Sequence, residues 1–201
     1  MGLDYEKYAK RKYRKKNITR AHIIVLKNIK KSPLLDVGCG DGSFLELAAK
    51  KGIECIGIEI SKFAVSLCKR KGLRVFHRAI EDLENLMSWK NRFGTITMID
   101  VLEHLNNQTK ALEIVYDLLK EDGDLVIVLP NPFSLKSILK LTENPRNDPY
   151  HTYCPSLREA KKMMKKIGFE IKKISRLGKF PLPAFLSQAF MIIGKKSKSR
   201  V

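Results

Sequence analysis

The sequence predicts an α/β fold: a seven-stranded, mostly parallel sheet with antiparallel strand 7 and helices on both faces, folded as a single domain over 1–201. Three observations predict it. Pro33 precedes the apolar run Leu34-Leu35-Asp36-Val37, which fits a strand covered on both faces, and beyond Gly38, Gly40 and Gly42 the residues Phe44, Leu45, Ala48 and Ala49 switch to helical spacing. Strand-like and helix-like stretches then alternate regularly, as in consecutive βαβ units. Near the end, Phe180-Pro181-Leu182-Pro183 joins the last two strands and is too short for a crossover helix, so the seventh strand should run antiparallel to the sixth.

Composition sets the outer bounds. At 201 residues and 44% apolar content the chain can bury an ample core without disulfides or metal. Cys39, Cys55, Cys68 and Cys154 show no CxxC spacing, and the first three fall on elements expected to be buried, so a reduced, cytoplasmic protein is expected. No apolar run approaches the ~20 residues of a transmembrane segment, and Met1-Gly2-Leu3-Asp4-Tyr5-Glu6 reads neither as a signal peptide nor as a myristoylation site. The net charge is +18, with basic clusters in the first thirty residues (Lys7, Lys10, Arg11, Lys12, Arg14, Lys15, Lys16, Arg20), at Lys161, Lys162, Lys165 and Lys166, and in the tail Lys195, Lys196, Lys198, Arg200. Such a stripe serves RNA, an anionic membrane surface, or no partner beyond solvent, as on lysine-rich, heat-adapted surfaces.

Residues 4–30 read as a helical N-terminal cap (1–30), with Tyr5, Tyr8 and Tyr13 along it and a restart capped by Thr19. The glycine turn opens a helix over 42–52, and a second strand over 54–60 ends near Glu59. Ser61 caps the next helix, to Lys71, and Gly72 stops it. A third strand, 73–77, leads into Arg78-Ala79-Ile80-Glu81-Asp82-Leu83. The fourth strand, 93–100, enters Val101-Leu102-Glu103-His104-Leu105. A helix over 109–120, a turn over 121–124 and a fifth strand over 125–129 follow. Five prolines, at 130, 132, 145, 149 and 155, then mark a 130–155 lid containing one short helix over 135–141. A helix from Ser156 to Ile167, Gly168 as its stop, a sixth strand over 169–174 and a seventh over 187–194 complete the chain.

Glycines at 38, 40 and 42 let backbone approach a ligand above the strand's carboxyl end. The dinucleotide fingerprint requires a third glycine at position 43, which is Ser43, so a pyrophosphate is disfavoured. Glu59, roughly 20 residues beyond the turn, stands where a carboxylate accepts from two ribose hydroxyls. On these residues, Leu34 to Gly42 and Glu59, the chain resembles the class I S-adenosylmethionine-dependent methyltransferases, and the resemblance extends over most of its length. It implies a Rossmann-like fold with S-adenosylmethionine held by Asp36, Gly38, Cys39, Gly40, Gly42, Glu59 and Ile60, and by Ile80, Glu81 and Asp82 along the adenine edge. Asp100 is expected beside the cofactor. Residues 80–82 would equally suit an ordinary helix start with acidic first-turn residues.

Asp100, Glu103 and His104 stand at i, i+3 and i+4, so a helical turn opening at 100 would point all three one way, as a general-base cluster or most of a metal site. The string from Asp100 to Leu105 resembles that of the ubiquinone-biosynthesis O-methyltransferases and of the enzymes that methylate the terminal ribose of small RNAs. In the latter, two glutamates and two histidines hold a divalent ion, which here implies Asp100, Glu103, His104 and His151, with Asp100 one methylene short. Otherwise the Glu-His pair orders the loop. Loops at the carboxyl ends of parallel strands carry acceptor specificity, so Asn131, Arg146, Tyr150, His151 and Tyr153 are candidate acceptor contacts, and Tyr5, Tyr8 and Tyr13 either stack on substrate or dock the helix.

The resemblance implies SN2 methyl transfer, with much of the rate coming from in-line positioning. His104, His151 and Glu103 are the catalytic candidates. For a hydroxyl acceptor a neutral imidazole takes the proton; if a divalent metal ion binds, both histidines become ligands instead. A small-molecule, lipid or glycan precursor is the leading acceptor. A 2'-O-methylated RNA ribose and a non-catalytic cofactor-binding partner are the alternatives, and the oligomeric state is open.

Overall fold

The computed structural model describes residues 4–13, 18–177 and 187–197. The Phe180–Pro183 link, Arg14, Lys15, Lys16 and the tail residues Lys198 and Arg200 lie outside them.

Seven strands, β1 (Leu34–Val37), β2 (Cys55–Glu59), β3 (Val75–His77), β4 (Phe93–Ile99), β5 (Leu119–Pro130), β6 (Phe169–Arg176) and β7 (Ala189–Lys196), form one sheet in the order β3-β2-β1-β4-β5-β7-β6. The pairs from β3 to β5 are parallel. Strand β7 slots between β5 and β6 and runs antiparallel to both. The chain leaves β1 toward β2 and β3, then returns to place β4 on the other side of β1, so the strand order reverses at β1/β4 and a crevice opens there at the carboxyl ends.

Alternation along the strands builds two cores. In β5, Leu125, Ile127 and Leu129 pack with Leu112, Val115, Ala160 and Met164 of α5 (Gln108–Leu118) and α7 (Leu157–Ile167). Val126 and Val128 face the other way, onto Val25, Phe44 and Ala48 of α2 (Arg20–Asn28) and α3 (Ser43–Lys50). Between β2 and β3, α4 (Lys62–Arg70) contributes Val65 and Cys68 to a third small cluster with Cys39, Leu45 and Val75. The expected caps form: the Thr19, Ser61 and Ser156 hydroxyls accept from the N–H groups of His22, Ala64 and Glu159, and Gly168 ends α7 with φ 114°.

The restart expected at Thr19 forms: the N-terminal stretch holds α1 (Tyr5–Lys12), ended at Tyr13, and α2, capped by Thr19. Several expectations are corrected. The turn expected over 121–124 is absorbed into β5: Phe93 pairs with Leu119 and Thr95 with Asp124, so residues 120–123 bulge from a continuous strand, with Asp122 at φ 63°. The lid helix shortens to the single turn α6 (Leu135–Ile138). Residues Glu81–Leu83 and Leu102–His104 are 3₁₀ turns rather than α-helix.

Candidate active site

The turn after β1 is held by backbone and by one carboxylate. The N–H groups of Gly38 and Cys39 donate to the Ile58 carbonyl at 2.9 and 3.0 Å, pinning the loop to β2. Glu59 Oε2 accepts from Gly40 N–H and Oε1 from Ser61 N–H, both at 2.9 Å. Gly38 must be glycine twice over: its φ is 66°, and a Cβ would lie 2.5 Å from Val101 Cγ2. At Gly40, φ 55°, a Cβ would meet the Tyr13 hydroxyl at 2.6 Å, so α1 sends its last aromatic ring directly onto the glycine turn.

Over this turn lies a cavity of about 240 Å³, walled by Val37, Gly38, Ile58, Glu59, Ile60, Ala79, Ile80 and Glu81, roofed by Tyr5, Tyr8 and Lys12, and floored by Asp100, Val101 and His104. A smaller chamber of about 70 Å³ adjoins it, with Asp36, Cys39, Gly40, Asp41, His22 and Phe44 in its walls. Lys12, Tyr13, Gly38 and Asp100 border both. Of the residues expected at the cofactor, Gly42 starts α3 and Asp82 accepts from Ala79 N–H at 2.9 Å, so neither faces either chamber; the others do.

The residues suit S-adenosylmethionine. Glu59 shows the larger cavity a carboxylate already oriented by two N–H groups; Ile58, Ile60 and Ile80 offer apolar walls to a base; buried Asp36 supplies an acid in the smaller chamber for an ammonium. Burial pushes Asp36 up to about 7, against the Thr97 hydroxyl donating to Oδ1 at 2.6 Å. Burial likewise raises Glu59, less strongly opposed by Ser61 and Gly40 than is needed to restore an ordinary value.

The acceptor side is built differently. Asp100 has φ 52° and Val101 φ −128°, so no helical turn opens at position 100, and the expected one-face arrangement of Asp100, Glu103 and His104 does not form. The following 3₁₀ turn instead brings Glu103 and His104 to His151 of the lid, with one ligand-type atom from each within 4.8 Å of the others. Asp100 is not one of these three and lines the cavity. The lid is tied down by Thr152 N–H and Tyr153 N–H, which donate to the Glu103 carbonyl at 2.9 and 3.2 Å, and by Gln108 Nε2 to the Tyr153 carbonyl at 2.7 Å.

Both imidazoles have a defined tautomer. His104 Nδ1–H donates to the Tyr150 carbonyl at 2.7 Å and His151 Nδ1–H to the Pro145 carbonyl at 2.6 Å; a carbonyl only accepts, so in the neutral ring the lone pair sits on Nε2. The rings are 4.8 Å apart. Burial holds His104 below the ordinary imidazole value, outweighing the Tyr150 bond. Glu103 is 1% exposed, neither carboxylate oxygen has a hydrogen-bond partner among the described residues, and burial followed by Asp100 pushes its pKa well up.

Tyr5 donates to the His104 carbonyl at 3.1 Å, and Tyr8 stacks at 4.7 Å from Tyr150. Asn131, Arg146 and Tyr153 build the lid itself: Asn131 Nδ2 donates to the Ser187 carbonyl, while Arg146 lies over Phe133 and pairs with Glu159, which also accepts from the Tyr153 hydroxyl. Sequence reasoning missed Lys12 as a site residue. Its ammonium donates to the Tyr8 hydroxyl at 2.6 Å; desolvation lowers its pKa, but Tyr8, Asp100 and Glu103 more than restore it. The available signal was the i, i+4 spacing of Tyr8 and Lys12, obscured by the surrounding lysines.

Residues 5–174 match the family model described as a methyltransferase domain. Among curated proteins, the chain is 33% identical over 97 residues to a ubiquinone biosynthesis O-methyltransferase of Alkalilimnicola ehrlichii (46% of this chain, 39% of that protein). It is 31% identical over 109 residues to the Methylococcus capsulatus protein of the same name (52% and 46%), so the alignments span less than half of these relatives. Among solved structures, a SAM-dependent methyltransferase from Archaeoglobus fulgidus superposes with a TM-score of 0.73 at 25% identity, covering 96% of this chain and all of that one. The glycine turn, the carboxylate on the second strand, the sheet with its antiparallel seventh strand and the match over 5–174 together place the chain in the class I S-adenosylmethionine-dependent methyltransferase family.

Proposed function

We propose that the chain methylates a hydroxyl oxygen of a small molecule. The observation that carries this reading is His104, which lines the cofactor cavity with His151 beside it, its Nδ1–H spent on the Tyr150 carbonyl so that in the neutral ring Nε2 is the acceptor. A hydroxyl must shed its proton as its oxygen takes a methyl group, and a half-buried, neutral imidazole held in one tautomer is suited to receive it. The names of the curated relatives, O-methyltransferases, support the same acceptor atom.

When bound, S-adenosylmethionine supplies a methyl group on a positively charged sulfur. Everything else is left to the protein. Glu59 and the glycine turn hold the nucleoside end, Asp36 the ammonium end, and Tyr5 and Tyr8 cover the larger cavity against water. Positioning contributes much of the rate and His104, with His151 behind it, handles the proton at Nε2.

A second reading is favoured by Glu103. A buried carboxylate with both oxygens unpartnered among the described residues, with a ring nitrogen of each of two imidazoles within 4.8 Å, is a donor set suited to a divalent cation, with Glu103, His104 and His151 as the protein ligands. Such an ion would act as a Lewis acid toward the acceptor oxygen.

The test is transfer of a labelled methyl group from S-adenosylmethionine to a panel of small phenols and alcohols, with and without prior chelation. Label in an ether product, lost in His104→Ala while S-adenosylhomocysteine still binds, supports the proposal. Label on nitrogen or sulfur would defeat it. Loss on chelation with recovery on adding Mn²⁺ selects the second reading.

A further inference from the structure

We propose that the lid segment 133–141 docks on the surface of an anionic lipid bilayer. Phe133, Ile138, Leu139 and Leu141 are 48%, 56%, 57% and 68% exposed, so four large apolar side chains reach solvent within nine residues. Single exposed aliphatics are ordinary; a contiguous group marks a contact surface.

The segment is built to present them. Ser134 caps α6 by accepting from Ser137 N–H at 3.2 Å, and none of the four helical residues is buried. Lys140 then adopts φ 54°, which turns the chain back so that Leu141 N–H reaches the Lys136 carbonyl at 2.8 Å. Leu139 and Leu141 therefore project from one compact turn instead of trailing into a loop. Its base is closed by Asn144 Nδ2, donating to the Pro132 carbonyl at 3.0 Å, and anchored to the sheet by Asn131. The surface is preformed.

Charge identifies the occupant. Lys136 and Lys140 alternate with the apolar residues, neither is ion-paired among the described residues, and Glu143 is the only acid from 133 to 147. Protein interfaces deplete lysine at their centre, whereas elements that lie in a bilayer interface combine apolar anchors with lysines that meet anionic headgroups. Two copies of this chain meeting through the same turn would set like charges against each other across a two-fold axis. The net charge of +18 adds long-range attraction to any anionic surface.

Flotation of the full chain with phosphatidylcholine vesicles, and with the same vesicles containing phosphatidylglycerol, tests this. Binding is expected to the second and not the first. Lys136→Gln with Lys140→Gln should weaken it about thirtyfold, each lysine near such a surface being worth roughly fivefold. Leu139→Ser with Leu141→Ser should weaken it at least tenfold. Both double variants should keep the wild-type circular dichroism and S-adenosylhomocysteine affinity, since neither touches the cavity. No binding to anionic vesicles overturns the proposal. So does binding that both variants leave intact, because the basic face of α7 (Arg158, Lys161, Lys162, Lys165, Lys166) would then be responsible. A wild-type dimer in solution that both variants dissociate would assign the turn to a second copy and also overturn it.

Discussion

The two halves of the crevice are built on opposite principles. On the β1/β2 side the polar groups have partners: Glu59 takes two N–H groups, Asp41 accepts from Ser43 N–H and Oγ at 3.0 and 2.8 Å, and Asp36 takes the Thr97 hydroxyl. On the β4/lid side, among the described residues, Glu103 has no partner for either oxygen and the two imidazoles have none at Nε2. A buried polar group left unpaired costs about 1–3 kcal/mol, so the second half carries a cost that the first does not. The lesson is that the cofactor side is a finished mould, whereas the acceptor side is completed by what binds there.

This contrast predicts that damage to the two halves separates. The largest effect is expected from His104→Ala combined with His151→Ala, which should lower kcat by about 10²–10⁴-fold while the S-adenosylhomocysteine Kd stays within a small factor; single-turnover rates and calorimetry read the two quantities. An equal loss in Kd would break the division. Glu59→Ala should do the reverse at about a hundredfold, weakening S-adenosylhomocysteine binding through the loss of charge-assisted bonds to two N–H groups and to ligand hydroxyls.

The pH dependence sharpens the comparison further. Asp36, raised to about 7, is largely protonated below that value, and a ligand ammonium favours its ionised form. Binding of S-adenosylhomocysteine should therefore tighten as pH rises toward 7, by up to about tenfold per unit, with proton release that calorimetry in buffers of different ionisation heat detects. The effect should vanish in Asp36→Asn. The catalytic step has its own acid limb: His104 is held below the ordinary imidazole value, so it stays neutral at pH 7 and kcat should fall only as pH drops through a value under that of a free imidazole.

The smallest effect belongs to the roof. Glu6 holds α1 in place by accepting from Ser61 Oγ, Lys62 N–H and Phe63 N–H at 3.0, 2.5 and 3.2 Å, at the exposed start of α4. Glu6→Ala should speed S-adenosylhomocysteine release by about two- to fivefold, measured by stopped flow, without changing the acceptor side, because a solvent-screened carboxylate at a helix start contributes little even with three bonds.

The fold was legible because its determinants are local. The period change across Gly38, Gly40 and Gly42, the caps at Thr19, Ser61 and Ser156, and the stop at Gly168 are each set within a few residues of chain. Glu59 was legible for the same reason: on a short βαβ unit its distance in sequence from the glycine turn determines its distance in space. The bulge at 120–123 was not, because pairing with β4 on both sides of it, Leu119 with Phe93 and Asp124 with Thr95, overrides what reads locally as a turn.

The acceptor half depended on contacts between distant segments. Glu103 and His104 were recognisable, yet the third member of their cluster comes from the lid, and the positive φ of Asp100 takes that residue out of the group. Lys12 reads as one more surface lysine until α1 folds over the crevice and sets its ammonium against the Tyr8 hydroxyl near Asp100 and Glu103. The sequence by itself therefore determined the sheet, the glycine turn and the place of the Glu59 carboxylate, since hydrophobic period, glycine conformation and capping act between neighbours in the chain. Only the tertiary structure decided which side chains meet at the reacting centre, because burial and the field of distant charges exist only once those segments have packed together.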